Sequence, residues 1–320
     1  MKVLVTGGTS MLGGATAAAL AARGDVVTLL QRSASGSSHR EVRADINDAA
    51  AVREALAGHD AVVHLAARVG VVGSRADFDL ANVQGTRTLV DAMAAAGVPR
   101  LVHVSSPSVA HAGKALVGAG AAPASPAAVR GHYSRSKAEA ELLALASGLP
   151  AVVAIRPHLV WGPGDTQLIG RIVERARSGR MALVGGGTAL IDTTWVDNAA
   201  DALVAAVDRA PFLHGQALVV SNGEPRTVAE LFGRIARAAG LRVPGRAVPV
   251  GVASAAGAVA EAVWAASGRQ SDPPMTRFLA EQLSTAHWFD QRRTRQALQW
   301  SPGVSLDEGF ALLTRWFDSD

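Results

Sequence analysis

The one tyrosine of this 320-residue chain, Tyr133, is followed four positions later by Lys137, one of only three lysines. On a helix, positions i and i+4 share a face, with Cβ atoms about 5–6 Å apart. A free phenol titrates near about 10, and a neighbouring ammonium favours the phenolate and draws that value down. The phenol then donates a proton to a carbonyl, or accepts one from an alcohol, near neutral pH. Composition alone puts a lysine at that spacing roughly once in a hundred such sequences. The same ammonium is suited to hold the sugar hydroxyls of a nucleotide cofactor.

Two further polar groups belong to this chemistry. Ser105-Ser106-Pro107-Ser108 closes an apolar run, and the Ser106 hydroxyl there either polarises a substrate oxygen or forms a strand-end turn. Asn82, in the segment ANVQGT, stands at or just before a helix. It reads equally as a helix cap and as a cofactor or proton-relay residue.

A phosphate cradle precedes them. Thr6-Gly7-Gly8-Thr9-Ser10-Met11-Leu12-Gly13 lies between the first apolar run and the first helix, where backbone N–H groups at a helix N-terminus face a pyrophosphate. Gly7 is expected at positive φ, and Gly13 permits close packing of helix on strand. Ser10 stands where a glycine usually allows close approach, and its hydroxyl is expected to fit and donate to the phosphate. After the second apolar run comes Gln31-Arg32-Ser33. An acid at that point would hold a ribose 2′-hydroxyl; here the carboxylate is missing and Arg32 offers a fork for a 2′-phosphate. NADP(H) is therefore expected over NAD(H). Asp45-Ile46 follows at the next apolar step, placed to meet the adenine.

The elements that must position these residues are legible as alternation. Apolar runs at residues 2–6, 26–30, 61–65, 101–105 and 151–156 are separated by helical segments at 13–23, 49–57, 83–96 and 133–146. That pattern predicts right-handed βαβ units and a buried parallel sheet. Residues 1–156 are read as a dinucleotide-binding domain to which 191–222 return, and 157–190 with 223–320 as a smaller substrate lobe. Residues 112–131, rich in small side chains, are expected to form a mobile lid ahead of Tyr133.

Composition excludes other chemistries. The chain has 31 basic and 27 acidic side chains and no cysteine, so it carries no disulfide framework and no thiol nucleophile. The nine histidines lack ligand spacing with carboxylates, and no metal is expected. No GxSxG elbow occurs. Scattered arginines and a lone tyrosine speak against nucleic acid. Residues 1–8 lack the cleavage site of a secretory leader, so a cytoplasmic location is expected. The apolar stretch 250–267 carries Glu261 and is read as a buried or interface helix, with a lip at a membrane surface as the alternative.

Taken together, TGGTSMLGG, Asp45-Ile46, HLAA at 64–67, NVQGT at 82–86, SSPSV, YSRSK, RPHLVWGPG at 156–164 and TTWVDNAAD at 193–201 resemble the extended short-chain dehydrogenase/reductase family over essentially the whole chain. The resemblance implies an α/β fold, a Rossmann-type doubly wound parallel sheet with a smaller C-terminal substrate-binding lobe. It implies Ser106, Tyr133 and Lys137 as catalytic residues, with alignment on Val109 selecting Ser106 over Ser105. Leu65, Ala66, Ala67, Pro157 and His158 would join the cofactor site. His158 would line the substrate side of the nicotinamide, either meeting a carboxylate or filling space. Leu159 cannot hydrogen-bond a nucleotide diphosphate, which counts against a sugar-nucleotide substrate.

Within the family, RPHLVWGPGD, Asp192-Thr193, SNGEP at 221–225 and PPMTRFLAEQLSTAHWFD at 273–290 are similar to the 3β-hydroxysteroid dehydrogenase-like branch, in particular the ketoreductases of bacterial long-chain olefin biosynthesis. That implies NADPH-dependent reduction of a 2-alkyl-3-oxo acid, an apolar keto or hydroxy substrate, a homodimer through paired helices as the default, and association with pathway partner enzymes. A sterol or other apolar secondary-alcohol dehydrogenase, a natural-product ketoreductase and a non-catalytic NADP-binding sensor are the alternatives.

Overall fold

Strands buried on both faces must alternate which helical layer each side chain meets. In β1 (Lys2–Thr6), Val3 and Val5 pack into one layer and Leu4 into the other. The structure, a computed structural model, describes residues 1–70, 72–111, 113–242, 245–267 and 273–319. From β1 the chain passes through α1 (Met11–Ala22), β2 (Val26–Gln31), β3 (Arg40–Arg43), α2 (Ala49–Leu56) and β4 (Ala61–His64). A short α3 (Arg75–Phe78) and a π-helical turn at Asp79–Gln84 lead into α4 (Gly85–Ala96), β5 (Arg100–Val104), β6 (Leu116–Ala119), α5 (His132–Leu145) and β7 (Ala151–Pro157).

The second half follows as β8 (Val160–Trp161), α6 (Ile169–Arg177), β9 (Leu183–Val184), β10 (Leu190–Ile191), β11 (Thr194–Trp195), α7 (Val196–Arg209) and β12 (Gln216–Val220). It closes with β13 (Arg226–Thr227), α8 (Val228–Ala238), β14 (Ala247–Val248), α9 (Val250–Ser267), α10 (Arg277–Ser284), β15 (His287–Phe289), α11 (Arg292–Leu298) and α12 (Leu306–Ser319).

Seven strands form one sheet in the order β3-β2-β1-β4-β5-β7-β12, every pair parallel. The order reverses between β1 and β4, and ligands of open α/β sheets bind outside the carboxyl ends of strands at such a switch. Helices α1 and α7 cover one face; α2, α4 and α5 lie on the other. The β12 strand is supplied from beyond residue 190 and pairs with β7 from Gln216↔Val153 to Val220↔Pro157. A separate core around Trp161, Trp195, Phe232 and Phe310 belongs to the smaller lobe.

The short strands of the second half went unread in the sequence, and so did β3 and β6 of the first. β3 is REVR, an edge strand whose charged, half-exposed pattern has no apolar run to betray it. β6 lies inside the segment expected to be a mobile lid. Its Leu116 and Ala119 pair with His287 and Phe289 of β15 in a four-stranded sheet β13-β10-β15-β6. That segment is therefore tied to the C-terminal lobe by backbone hydrogen bonds; Ala112, its expected start, lies outside the described residues. No helix of the described residues is long and apolar enough to cross a membrane. α9 is not buried throughout: Ala253 and Gly257 are covered, whereas Val252, Val259 and Val263 are exposed.

Candidate active site

The glycine turn leaves β1 and opens α1. Gly7 takes φ +77°, and a Cβ there would lie 2.9 Å from the Ala66 nitrogen. A Cβ on Gly8 would lie 2.8 Å from Gln31 Oε1, and one on Gly13 would strike the Gly7 carbonyl. Only glycine fits this turn at those points. Thr6 Oγ1 accepts from the Ala66 N–H at 3.1 Å, and Leu65 N donates to the Thr6 carbonyl, so the ends of β1 and β4 are pinned side by side.

Ser10 behaves differently from the expectation. Its hydroxyl donates to the Gly7 carbonyl (2.8 Å) and accepts from Gly13 N (3.1 Å), capping α1 rather than reaching outward. The helix therefore opens at Met11, two residues earlier than its expected start. The first-turn N–H groups at Met11 and Leu12 are those that a helix leaves without internal acceptors. This cradle fits the pyrophosphate of a dinucleotide.

At the end of β2, Gln31 is buried while Arg32 and Ser33 are exposed. Glu41, which the sequence reading passed over, stands on the neighbouring strand β3. It accepts from Gln31 Nε2 (3.0 Å), from Ser35 N (2.9 Å) and from the Ser35 hydroxyl. The acid is thus engaged in holding the loop that follows Arg32. Asp45 accepts from Asn47 N and Nδ2, both at 2.9 Å, and these bonds hold its carboxyl below the usual range. Ile46 packs against Gly85 at the start of α4.

The reacting end lies at the carboxyl edges of β5 and β7. Ser106 caps a 3₁₀ turn at Pro107–Ala110 and shares a 3.0 Å hydrogen bond with the Ser108 hydroxyl. Tyr133 is half-buried on the first turn of α5 and lines the same cavity as Ser106. Lys137 is buried one turn on, but its ammonium donates to the Val104 carbonyl at 2.6 Å. Burial lowers the Lys137 pKa to about 8, against the attraction of Glu141.

This corrects the expected electrostatics of the pair. Burial pushes the Tyr133 phenol up from its ordinary value, and hydrogen bonding with Ser106 works in the other direction. An i, i+4 spacing places two residues on one face without directing the tip of a flexible side chain, and the nearest acceptor wins.

Asn82 is neither a helix cap nor exposed to the crevice. It is buried in the π-helical turn, where its side chain accepts from Arg68 N (2.7 Å) and donates to the Arg68 carbonyl (3.1 Å) and to Ser136 Oγ (2.9 Å). Ser136 donates in turn to the Tyr133 carbonyl. Asn82 thereby fastens α5, and with it Tyr133, to the segment that follows β4. Behind it, His64 bridges Thr6 Oγ1 (2.7 Å) and Thr86 Oγ1 (3.0 Å), and burial lowers its pKa to about 3.

Tyr133, Ser106, Pro157 and His158 open on a cavity of about 430 Å³. Its remaining wall is largely apolar, with Leu168, Ile172, Met181, Phe232, Phe278 and Phe289 among its lining residues. Leu159, also in the lining, holds φ +42°, a backbone region that side chains other than glycine's rarely adopt. Its carbonyl accepts from Thr194 N, beside the pairing of β8 with β11. His111, Gln282 and His287 also line the cavity and were not singled out in the sequence. They come from three elements up to 176 positions apart, a juxtaposition no local pattern announces. The arrangement suits proton transfer to an oxygen of an apolar ligand whose reactive carbon lies beside a dinucleotide.

A family model described as the NAD dependent epimerase/dehydratase family matches residues 3–221. A 2-alkyl-3-oxoalkanoate reductase of Stenotrophomonas maltophilia (strain K279a) is 40% identical over 324 residues, covering 98% of this chain and 98% of the relative. Another, of Shewanella oneidensis, is 36% identical over 328 residues, covering 97% of this chain and 84% of the relative. Among solved structures, the crystal structure of gox2253 superposes with a TM-score of 0.79 at 26% identity, covering 99% of this chain and 98% of that one.

Proposed function

This chain belongs to the NAD-dependent epimerase/dehydratase family, the extended short-chain dehydrogenase/reductases, and on that premise we propose that it reduces the 3-keto group of a long-chain 2-alkyl-3-oxoalkanoic acid with NADPH. It is an NAD(P)-dependent oxidoreductase of that family. The observation that carries the finer reading is the largely apolar cavity into which Tyr133 and Ser106 open. Alkyl chains gain roughly 25 cal/mol for each Å² of apolar surface withdrawn from water, and the volume lies in the range of small-molecule sites.

A bound nicotinamide supplies the hydride. The chain's own residues do the rest. Ser106 donates to the keto oxygen and polarises it. Tyr133 gives its phenolic proton to the oxygen as negative charge develops there, a contribution of roughly 10²–10⁴-fold. Lys137, released from the Val104 carbonyl, is within the repertoire of a ribose-binding ammonium. The backbone N–H groups at Met11 and Leu12 take the pyrophosphate, and Arg32 takes the 2′-phosphate. Holding ketone and cofactor in register is worth up to about 7–11 kcal/mol in ideal cases.

The test is reduction of a synthetic 2-alkyl-3-oxo acid by purified protein. It is followed by loss of reduced-nicotinamide absorbance and by mass spectrometry of the hydroxy acid. Consumption of NADPH with formation of that product is expected. Turnover confined to a 3β-hydroxysteroid, or nucleotide binding without turnover on any ketone, would displace the reading.

A further inference from the structure

The polar groups of the cavity form two directed hydrogen-bond runs that meet at Gln282, one through its backbone carbonyl and one from its side chain. His158 Nε2 lies 2.8 Å from His287 Nδ1, and His287 Nε2 lies 2.9 Å from the Gln282 carbonyl. Gln282 Nε2 is 3.0 Å from His111 Nδ1, and His111 Nε2 is 2.8 Å from the Lys114 carbonyl. A carbonyl only accepts, so the two carbonyls place the protons. His287 carries its proton on Nε2 and accepts at Nδ1; His111 does the same. His158 must therefore donate from Nε2, and its Nδ1 is left as a lone pair at the head of its run.

All three rings are buried, and all three line the cavity. Burial holds His158 well below its ordinary pKa and His287 below its own, with His111 adding to both effects. The free protein thus presents an uncharged acceptor. A carboxylate offers only lone pairs to it, and the two repel unless a proton lies between them.

We propose that His158 is the carboxyl-binding residue of this cavity, and that an acid ligand binds there together with one proton shared between its carboxylate and His158 Nδ1. This rests on the reading of the substrate as an oxo acid, and it names the group that selects the acid. The surroundings favour it. No aspartate or glutamate lines the cavity among the described residues. Arg171 and Arg175 of α6 also line it and draw an anion inward, although both are already engaged, Arg175 with the Pro274 carbonyl at 2.6 Å. From β5 and α5 the titratable group that lines the cavity is Tyr133, with Lys137 bonded to the Val104 carbonyl and Glu141 to Arg156; α10 carries Glu281, paired with Arg130, and Arg277, paired with Glu261. Behind His287, Asp192 donates its backbone N–H to the His287 carbonyl, and its carboxylate accepts from Ser221. Phe289 meets the His158 ring edge-on at 5.1 Å.

The experiment is calorimetric titration of the whole protein with decanoate and with decan-1-ol at several pH values, in buffers of different ionisation enthalpy. Decanoate binding is expected to take up close to one proton from neutral pH upward, its affinity falling roughly tenfold per pH unit. Decan-1-ol is expected to take up none. In His158→Asn the proton uptake disappears and decanoate affinity drops at least tenfold, while decan-1-ol affinity, which also reports folding, is kept. Wild-type protein that binds decanoate without proton uptake overturns the proposal whatever the variant does. So does loss of decanoate affinity in Arg175→Leu with none in His158→Asn. The two readings fail separately: no turnover on any 3-oxo compound sinks the reductase assignment and leaves the proton count of decanoate binding intact, whereas reduction of oxo acids by a protein that binds decanoate without taking up a proton sinks only the role of His158.

Discussion

Lys137 donates to the carbonyl of Val104 across 2.6 Å, although Tyr133 stands one helical turn before it on the same face of α5. The contact ties α5 to the last residue of β5, at the point where Ser105 and Ser106 leave the sheet. A buried ammonium must be compensated, and the Val104 carbonyl and the charge of Glu141 do this.

Tyr133→Phe removes the donor without changing the shape of the cavity. Turnover is expected to fall roughly 10²–10⁴-fold, with nucleotide affinity unchanged by fluorescence titration. Wild-type turnover in that variant would mean that another group protonates the product.

Arg32→Ser removes the charged partner proposed for the 2′-phosphate. Hydrogen bonds to charged groups are worth about 1.5–3 kcal/mol, so KM for NADPH is expected to rise roughly 10–100-fold while KM for NADH stays within twofold. Equal changes for both nucleotides would show that Arg32 does not read the phosphate.

Glu141 and Arg156 form a buried bidentate pair at 2.5 and 2.8 Å, and the same guanidinium donates to the Ala122 carbonyl at 2.7 Å. Glu141→Leu strands the guanidinium, and a loss of about 3–5 kcal/mol is expected in denaturant unfolding. Adding Arg156→Met should return much of that loss. The double variant is expected to keep two deficits: the Lys137 ammonium without the charge of Glu141, and faster proteolysis near Ala122, because that carbonyl loses its donor.

His64 titrates near about 3 in the folded chain against its ordinary 6.5, because burial disfavours the imidazolium. Between those values the unfolded state binds the extra proton, so stability is complete above pH 6.5 and falls as pH drops toward 3. One proton is worth about 1.4 kcal/mol per pH unit. His103 and His158 act with the same sign, and Asp192, whose carboxyl burial pushes up, acts with the opposite one. Denaturation curves between pH 7 and 4.5 are expected to show a shallower slope in His64→Gln, by about one proton. An unchanged slope would mean that His64 is already protonated in the fold.

The sequence by itself determined the parallel-sheet architecture and the local spacing of the candidate side chains. Apolar runs such as AVVHL and AVVAIR announce fully buried parallel strands, and the glycines at 7, 8 and 13 leave room that any Cβ would close. The lone tyrosine and the lysine after it were legible for the same reason: their spacing is local. Tertiary structure alone decided which way flexible or distant groups point. Lys137 turned to a strand carbonyl, Ser10 to its own helix, and Asn82 into a tie between Arg68 and Ser136. The pairing of β6 with β15, and with it the meeting of His111, His158, Gln282 and His287, depends on residues far apart in the chain. Hydropathy and periodicity report what a residue needs from its neighbours within a few turns. Which distant partner meets that need is settled only when the lobes close on one another.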